Sequence, residues 1–236
     1  MQGRLDLTEF EDIFKEMSDV EIQQTVELPE EFISLCNKHL PLQSKRPLEY
    51  LKGRGIGREE ILKWKIGYCK EGRYAGRIIV PSINTAGDCN YFIARSYIGA
   101  DYRYLNPPCG RDIVFNALMV DWDEPVVIVE GVFDAIVVGD NAIPILGSTL
   151  REDSKLFQAL AIHDTPVFVA LDPDAEKKAH WVIRSLMKYD LEVKKINLEH
   201  YEDIGSMSRE VFLEKLENAE EVDGDMYWLE KQLKSI

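Results

Sequence analysis

The C-terminal half of the chain alternates short apolar runs with longer segments in which apolar residues recur at helical spacing. The runs predict strands and the longer segments predict helices. The predicted strands are PVVIVEG, AIPILGS, TPVFVALD and LEVKKINLE, and the predicted helices between them are VFDAIVVGDN, REDSKLFQALAIH and AEKKAHWVIRSLMKYD. Continuous Val and Ile strands that alternate with helices are typical of a parallel sheet covered on both faces. Residues 122–204 are therefore predicted to form an α/β domain with a parallel sheet flanked by helices.

The pattern upstream is different and predicts a smaller α+β subdomain over residues 41–121. A helical unit, PLEYLKGRGIGREEILKWKIGYC, turns at residues 53–57. Its predicted apolar face consists of Tyr50, Leu51, Ile61, Leu62 and Trp64. Three runs, GRIIVPSI, CNYFIARSYI and RYLNPP, then predict strands separated by turns at NTAGD and GADY.

Both ends of the chain are predicted to be helical. Residues 1–40 contain LTEFEDIFKEM and then VELPEEFISLCNKHLPL, which predict short helices in an acidic N-terminal arm. Residues 205–236 contain SREVFLEKLENAEEVDGDMYWLEKQLKSI, which predicts two amphipathic helices. The pattern does not distinguish an N-terminal docking arm from a packed helical cap.

The distribution of charge changes the interpretation of the acidic composition. The net charge of −14 on 236 residues argues, by itself, against a nucleic-acid partner. However, residues 41–120 carry 13 basic and 7 acidic residues. The segments on either side are acidic: residues 1–40 carry 3 basic and 10 acidic residues, and residues 121–236 carry 12 basic and 25 acidic residues. Because phosphate contacts depend on the local field, the basic middle segment is compatible with nucleic acid. The C-terminal acidity indicates either bound cations or, more ordinarily, solubility.

Cysteine spacing and hydropathy exclude several classes of protein. The cysteines, at positions 36, 69, 89 and 109, form no C-x-x-C pair, and the four histidines show no ligand spacing. This argues against a zinc site and against a secreted disulfide scaffold. No run of about 18 apolar residues occurs, and the N-terminus is acidic rather than a basic and apolar leader. We expect a cytoplasmic protein without a membrane partner.

Acidic residues follow three of the predicted parallel strands. Glu130 ends the first strand, Asp172 ends the third with Asp174 two residues later, and the last strand leads to Asp203. Ligands of open parallel sheets bind beyond the carboxyl ends of the strands, so these acids are expected to meet at one edge. Pro173 favours an extended Asp172, which would make the carboxylates of residues 172 and 174 project as a pair. Such oxygen clusters are ligands that Mg²⁺ prefers.

Each acid also has an ordinary interpretation. Asp174, just before AEKKA, suits a helix N-cap. Asp134, in the first turn of the helix after Glu130, would complement the helix dipole. Glu130 would bind a ribose in a dinucleotide fold, but the G-x-G-x-x-G run that this needs is absent. The joint pattern, rather than any single residue, indicates a divalent-cation site.

The run VEGVFDAIVV…LDPDAEKKA…EDI resembles the TOPRIM signature, a Glu-Gly and Asp-x-Asp arrangement shared by topoisomerases and primases. Upstream, YLKGRGIGREEILKWKIGYC, GRIIVPSINTAGDCNYFIARSY and YRYLNPP are similar to the basic N-terminal half of the catalytic core of bacterial and phage DnaG-like primases. The resemblance covers residues 45–205. The two halves in this order are much more specific than the TOPRIM part alone. The resemblance implies a TOPRIM-type parallel sheet preceded by the smaller basic subdomain.

The resemblance implies a role for each matching acid. Glu130, Asp172 and Asp174 would be the catalytic residues. Glu130 would be the central acid, either as a metal ligand or as a general acid/base. The metal ligands, for Mg²⁺ or Mn²⁺, would be Glu130, Asp172 and Asp174, with Asp134 in support and Asp203 at the later acidic position.

Four arginines match, or nearly match, basic family positions that face the template and the incoming nucleotide: Arg77, Arg95, Arg103 and Arg111. A planar guanidinium binds phosphate through two parallel hydrogen bonds, which suits this role. Arg111 takes the place of a lysine of the family, in a locally poor match. The alternative for each arginine is a surface ion pair, which is less expected for Arg95 because apolar residues frame it.

The implied function is that of a primase catalytic core, which makes short RNA primers on a single-stranded DNA template from ribonucleoside triphosphates by two-metal nucleotidyl transfer. The sequence contains neither a zinc-binding cysteine cluster nor a G-x-x-x-x-G-K-[ST] motor loop. We therefore expect a replicative helicase, a separate zinc-binding template-recognition subunit, or both, as partners. This compact form favours a phage origin, with action in the host cytoplasm.

Two other functions are compatible with the same residues. A non-catalytic TOPRIM accessory subunit of a replication or transcription complex is favoured by the missing zinc domain and the acidic ends, but every acid of the pattern is present. A TOPRIM-type Mg²⁺-dependent nuclease would use the same acids to cut DNA. The basic upstream half argues against it, because such nucleases usually attach TOPRIM to an ATPase.

Overall fold

The computed structural model of the protein describes residues 24–147, 149–198, 201 and 203–222, which form two sheets with helices around them. The strands are β1 Phe32–Ser34, β2 Gly67–Cys69, β3 Arg77–Ile83, β4 Cys89–Ser96, β5 Val126–Val129, β6 Ala142–Pro144, β7 Val167–Ala170, β8 Val193–Lys195 and β9 Glu220–Glu221. The α-helices are α1 Lys45–Lys52, α2 Arg58–Lys63, α3 Val132–Val138, α4 Lys155–His163, α5 Glu176–Met187 and α6 Arg209–Glu217. None of the helices in these described ranges is long and apolar enough to cross a membrane.

The first sheet is antiparallel, with the order β1-β2-β3-β4, and it is covered on both faces. Successive residues of a strand point to opposite faces. In β3, Ile78 and Val80 pack in the largest core, which also contains residues of α1 and α2, whereas Ile79 packs in a smaller cluster behind the sheet with Phe92 of β4. Burial on both faces explains why these strands read as continuous apolar runs.

The helical interpretation of residues 24–40 is wrong, because Phe32–Ser34 is a strand of this sheet. β1 pairs antiparallel with β2, and Phe32 N–H donates to the carbonyl of Pro29 in the turn before it (2.9 Å). The pairing needs glycine at position 67, since a Cβ there would lie 2.2 Å from the ring of Phe32. That pairing joins residues more than 30 positions apart, which local periodicity does not reveal. The predicted helix LTEFEDIFKEM lies outside the described residues.

Two smaller expectations for the basic subdomain are also wrong. Leu62 is 41% exposed and does not share the buried face of Leu51, Ile61 and Trp64. The run RYLNPP is not a strand, because it makes a single bridge between Tyr104 and Arg95 of β4. Its two prolines have no N–H to continue the ladder.

The second sheet has the order β6-β5-β7-β8-β9, and its first four strands are parallel, which confirms the predicted α/β architecture. Helices α3 and α6 cover one face and α4 and α5 the other.

The C-terminal tail differs in part from the prediction. α6 confirms the first predicted helix, but Glu220–Glu221 then pairs antiparallel with β8, where Lys194 lies opposite Glu221. Opposite charges facing each other favour this edge pairing. The second predicted tail helix lies outside the described residues.

The two subdomains share one hydrophobic core and a fixed linker. Ile78 of β3 and Phe133 of α3 belong to the same buried cluster. Asn141, just before β6, holds the linker at residues 121–125. Its Nδ2 donates to the carbonyls of Asp121 (2.7 Å), Glu124 (2.9 Å) and Pro125 (3.0 Å), and its Oδ1 accepts from Asp121 N–H (2.9 Å). Asn141 also has φ of 55°, a conformation that asparagine tolerates better than most residues.

Replacing Asn141 by Ala is expected to lower the free energy of unfolding by about 2–3 kcal/mol, because several hydrogen bonds are lost and alanine disfavours positive φ. Urea unfolding measures the change. The control is Asn218→Ala, whose side chain makes one exposed bond to the carbonyl of Glu214 (2.7 Å), and it should change stability by less than about 0.5 kcal/mol. Equal effects of the two substitutions would contradict the role of Asn141 as the anchor of the linker.

Candidate active site

Three carboxylates meet beyond the carboxyl ends of two neighbouring strands. β5 and β7 are parallel, with Val129 opposite Ala170. Glu130 directly follows β5, and Asp172 and Asp174 come two and four residues after the end of β7. One carboxylate oxygen from each of the three acids lies within 4.8 Å of the others. The structure therefore brings these three predicted site residues together, and we call them the acidic triad.

The turn after β7 presents its two aspartates in different ways. Asp172 has φ −57° and ψ 149°, an extended conformation of the kind that a following proline favours. Pro173–Ala175 then forms a single 3₁₀ turn, and α5 begins at Glu176. The N-cap of α5 is Ala175, with no side-chain cap bond, so the capping interpretation of Asp174 is not supported. Asp174 is exposed and Asp172 is half-buried.

Asp172 is the most electrostatically strained member of the acidic triad. Burial raises its pKa to about 7, and the negative charges of Asp134, Glu130, Asp203 and Asp174 add to the shift. Its Oδ1 is buried and has no hydrogen-bond partner among the described residues. A buried carboxylate oxygen without a donor is costly. A bound divalent cation would satisfy it, since hard cations prefer oxygen ligands.

Asp134 and Asp203 lie next to the acidic triad, outside its 4.8 Å group. Burial raises the pKa of Asp134 to about 6, and Asp203 adds to the shift, whereas a hydrogen bond from Gly131 and the charges of Arg95 and Arg54 oppose it. The Oδ2 of Asp134 accepts this bond from Gly131 N–H (3.0 Å) at the start of α3. Asp134 thus lies in the first turn of α3, where the helix-dipole interpretation places it, and it also contributes charge to the site.

Arg54 is a cation of this site that the sequence analysis missed. A Cβ on Gly205 would lie 3.3 Å from Arg54 Nη1, 3.5 Å from Asp203 Oδ1 and 3.7 Å from Asp134 Oδ1, so these three side chains converge on one glycine. Arg54 Nε also donates to the hydroxyl of Tyr50 (3.1 Å). Arg54 comes from the turn after α1, 80 positions before Asp134, and nothing in its local sequence distinguishes it from the other basic residues nearby.

Lys178 is the second cation that was missed. Its Nζ lies 3.2 Å from Glu130 Oε1, and both side chains are largely buried. Lys178 lies in the first turn of α5, four positions after Asp174. Its partner Glu130 is 48 positions away in the sequence, and Asp174 lies before the helix begins, so no local spacing marks Lys178.

Arg95 lies beside the acidic residues and is not a surface ion pair. The side chain is 5% exposed, and its guanidinium carbon lies 4.7 Å from the ring centroid of Phe133 and 5.3 Å from that of Tyr104. Its Nη1 donates to the Tyr104 hydroxyl (2.7 Å). Its charge lowers the pKa of Asp134, which places it within electrostatic reach of the acids.

The other three predicted arginines occupy different places. Arg77 is buried, and its guanidinium donates to the carbonyls of Tyr102 (2.8 Å) and Arg103 (3.3 Å), so it holds the backbone of that segment. Arg103 itself is exposed. Arg111 is exposed and lines a cavity of about 260 Å³ together with residues that follow β6. Contact of these arginines with template or nucleotide stays a prediction, and for Arg77 the geometry favours a positioning role.

The chain is similar to primases in sequence and in fold. A DNA primase of Thermotoga maritima is 28% identical over 153 residues, which are 58% of this chain and 27% of that protein. The structure of a DnaG primase catalytic domain bound to ssDNA matches with a TM-score of 0.66 at 19% identity, over 77% of this chain and 74% of that one. The Aquifex aeolicus primase, solved with its zinc-binding and RNA polymerase domains, matches with a TM-score of 0.65 at 19% identity, over 77% and 57%. No protein-family profile matches the chain.

These similarities confirm the resemblance to the catalytic core of DnaG-type primases, and the fold is that of this core. The chain spans about a quarter of the length of the Thermotoga protein. Its activity is therefore inferred from what the side chains of the site can do.

Replacing Asp172 by Asn should stabilise the protein in EDTA, by an amount that grows as the pH rises from 4 to 8. The pKa of Asp172 is about 7 in the folded chain, compared with about 3.9 in an unfolded one. Between these values the unfolded state loses the proton more readily, so the stability of the native protein falls as the pH rises towards 7. Asparagine carries no charge and removes this penalty. At pH 8 we expect a melting temperature at least about 3 °C above that of the native protein.

Divalent cations should reverse this order at pH 8. Mg²⁺ or Mn²⁺ should raise the melting temperature of the native protein by binding its folded state, and should raise that of Asp172→Asn much less. Asp190→Asn is the matched control, because this exposed carboxylate follows the other end of α5. The control should gain as much in melting temperature from the cation as the native protein does. An equal gain by Asp172→Asn would contradict the assignment of Asp172 as a cation ligand.

Replacing Lys178 by Met should tighten binding of Mn²⁺ about fivefold, because the ammonium group that competes with a cation for Glu130 is removed. An effect of about 1 kcal/mol is expected for a charge at this distance in a partly solvated site. Isothermal titration measures the dissociation constant. Lys188→Met is the control, since Lys188 contacts Glu152 near the other end of α5 (3.2 Å). Weaker binding by Lys178→Met would show that Lys178 supports the cation site instead of competing for it.

Proposed function

We propose that the chain is the catalytic core of a DnaG-type DNA primase, which makes short RNA primers on single-stranded DNA. The observation that carries the proposal is the acidic triad of Glu130, Asp172 and Asp174, with the unpartnered buried oxygen of Asp172, on a fold shared with primase catalytic domains. A carboxylate cluster of this kind at the edge of a parallel sheet suits nucleotidyl transfer more than a purely structural role.

Mg²⁺ or Mn²⁺ fits the donor set, which consists only of carboxylate oxygens. The acidic triad would hold the cations, and Asp134 and Asp203 would add negative charge beside it. When bound, a pair of such cations activates a primer 3′-hydroxyl and neutralises the leaving pyrophosphate. This role corresponds to the implied catalytic function of Glu130, Asp172 and Asp174.

The residues of the chain prepare the site for that chemistry. Lys178 neutralises the Glu130 carboxylate, which it would release to a bound cation. Asp172, whose pKa is raised to about 7, would have to be ionised to hold a cation, because a ligand carboxylate must be deprotonated. Arg54 and Arg95 offset part of the negative charge of Asp134. Both guanidinium groups already contact aromatic side chains. They would therefore neutralise an incoming triphosphate less than an arginine without such contacts would.

The template side of the proposal rests on the basic subdomain. Residues 41–120 carry 13 basic residues against 7 acidic ones. Arg95 and Arg103 belong to this subdomain. Arg95 interacts electrostatically with Asp134, and Arg103 interacts with Tyr104, which is itself within reach of Asp134. The similar DnaG catalytic domain was solved bound to ssDNA. We infer that single-stranded template and ribonucleoside triphosphates approach the acidic triad across this face.

Template recognition requires a further element in this proposal. The Aquifex relative has a zinc-binding domain beside its RNA polymerase domain, whereas the present sequence has no cysteine cluster. We propose that a zinc-binding module, elsewhere on the polypeptide or on a separate subunit, or a replicative helicase, supplies it. The protein would act in the cytoplasm during DNA replication of a bacterium or a bacteriophage.

Primer synthesis by the purified protein tests the proposal. The protein is incubated with a mixed-sequence single-stranded DNA, labelled ribonucleotides, and Mg²⁺ or Mn²⁺, with and without a zinc-binding partner subunit. Native protein and Asp190→Asn should make short labelled oligoribonucleotides, and Asp172→Asn should lose at least about 100-fold in rate, because cation-dependent charge stabilisation is lost.

The other functions have different readouts in the same experiment. Cation-dependent cutting of the DNA without ribonucleotides would indicate a nuclease. Cation binding without synthesis or cutting, with every partner added, would indicate an accessory subunit and would overturn the primase proposal. Equal synthesis by native protein and Asp172→Asn would overturn the assignment of the acidic triad.

A further inference from the structure

Aromatic side chains are exposed on the basic subdomain in the segment that follows β4. Tyr102 is 77% exposed and Tyr104 is 42% exposed, and the residue between them is the exposed Arg103. Exposed rings interleaved with arginine are typical of surfaces that bind single-stranded nucleic acid, because every nucleobase offers a face for stacking. Single exposed tyrosines are common on proteins. The contacts around these two therefore determine whether they form a binding surface.

Tyr104 is the outer member of a stack that reaches the core. Arg95 lies opposite it in an antiparallel bridge, and the Arg95 guanidinium carbon lies 5.3 Å from the ring centroid of Tyr104 and 4.7 Å from that of Phe133. Phe133 is 2% exposed and belongs to the largest hydrophobic core. The stack therefore has one buried end, at Phe133, and one end open to solvent, at Tyr104. The cation–π contact and the hydrogen bond from Arg95 hold the Tyr104 ring, while the residue stays 42% exposed.

The open end of the stack lies beside the acidic residues. Phe133 directly precedes Asp134 in α3. Partial burial raises the pKa of the Tyr104 phenol, Arg95 and Arg103 lower it, and the Asp134 carboxylate raises it further, so Tyr104 lies within electrostatic reach of that acid. A base stacked on Tyr104 would have its sugar and phosphate near Asp134 and Arg103.

The backbone around Tyr104 is held on both sides. Arg77 donates to the carbonyls of Tyr102 and Arg103, Ser96 N–H donates to Arg103 (2.9 Å), and Leu105 N–H donates to Ala94 (3.0 Å). Burying an arginine for this purpose is costly unless its donors are satisfied. The arrangement fixes the backbone that carries the two rings, which lowers the entropic cost of binding.

We infer that Tyr104 and Tyr102 form a stacking site for the unpaired bases of a single-stranded template, with Tyr104 taking the base nearest the acidic triad. The inference deepens the proposed function and rests on it for the identity of the strand. It assigns Arg103 to the phosphates between the stacked bases. Duplex DNA is not the ligand, because its bases are already stacked on each other.

Fluorescence anisotropy with two labelled oligonucleotides tests the inference. One is a thymidine 12-mer, and the other is an abasic strand of equal length and charge. The native protein should bind the base-containing strand at least fivefold more tightly. Tyr102→Leu/Tyr104→Leu should reduce this ratio to near one while keeping the salt dependence of binding, which reports phosphate contacts. Tyr104→Phe keeps the ring and should retain the ratio.

Tyr189→Leu is the matched control. Tyr189 is 47% exposed, and its hydroxyl donates to Glu152 (2.8 Å). The 12 residues of α5 separate it from Asp174, which corresponds to about 18 Å. This variant should bind both strands as the native protein does. Thermal melting of each variant establishes that it is folded before binding is compared.

The outcomes separate the inference from the proposed function. A double variant that keeps the native ratio, or a native protein that binds both strands equally, would overturn the stacking site whether or not primers are made. A native protein that makes no primers with every partner added, but whose base preference depends on residues 102 and 104, would support the stacking site and overturn the primase proposal alone.

Discussion

Mutual repulsion among carboxylates at one edge of the parallel sheet is the constraint on which the rest of the site depends. The register of β5 against β7 leaves Glu130 next to Asp172 and Asp174, and α3 adds Asp134. Burial makes the crowding more costly, because charge is less screened in a low-dielectric environment. Burial first, and then the neighbouring negative charges, raise the pKa of Asp172 to about 7. A fold that keeps such a group must gain from it through a ligand.

The two cations that act on Asp134 come from the basic subdomain, which shares its hydrophobic core with the parallel sheet. Arg95 belongs to β4 and Arg54 to the turn after α1, and both act on Asp134. Their aromatic contacts, above all with Phe133, fix the basic subdomain against α3. The cations therefore stabilise the interface and tune the acids at the same time. Lys178, by contrast, comes from the same domain as its partner Glu130, in the helix that the Asp172 turn begins.

The acidic triad could be predicted because its geometry follows from local pattern: parallel strands recur, and acids follow their ends. Arg54 could not, because its meaning depends on a contact with residues 80 or more positions away. The same limit hid β1, whose pairing requires a glycine at position 67 under the Phe32 ring. The strand prediction for RYLNPP was wrong for the opposite reason. Its local pattern resembles a strand, but its prolines cannot continue the hydrogen-bond ladder.

The arginines show why residue type alone does not define a role. Arg77 and Arg95 lie on adjacent strands of one sheet and are about equally buried, at 6% and 5% exposure. Arg77 gives its hydrogen bonds to backbone carbonyls, so its charge is used to hold a segment. Arg95 gives one to a phenol and lies between two rings, so much of its field still reaches Asp134. Arg77 holds the segment that carries Tyr104, and Tyr104 is the hydrogen-bond partner of Arg95. The two arginines together therefore connect the antiparallel sheet to Asp134.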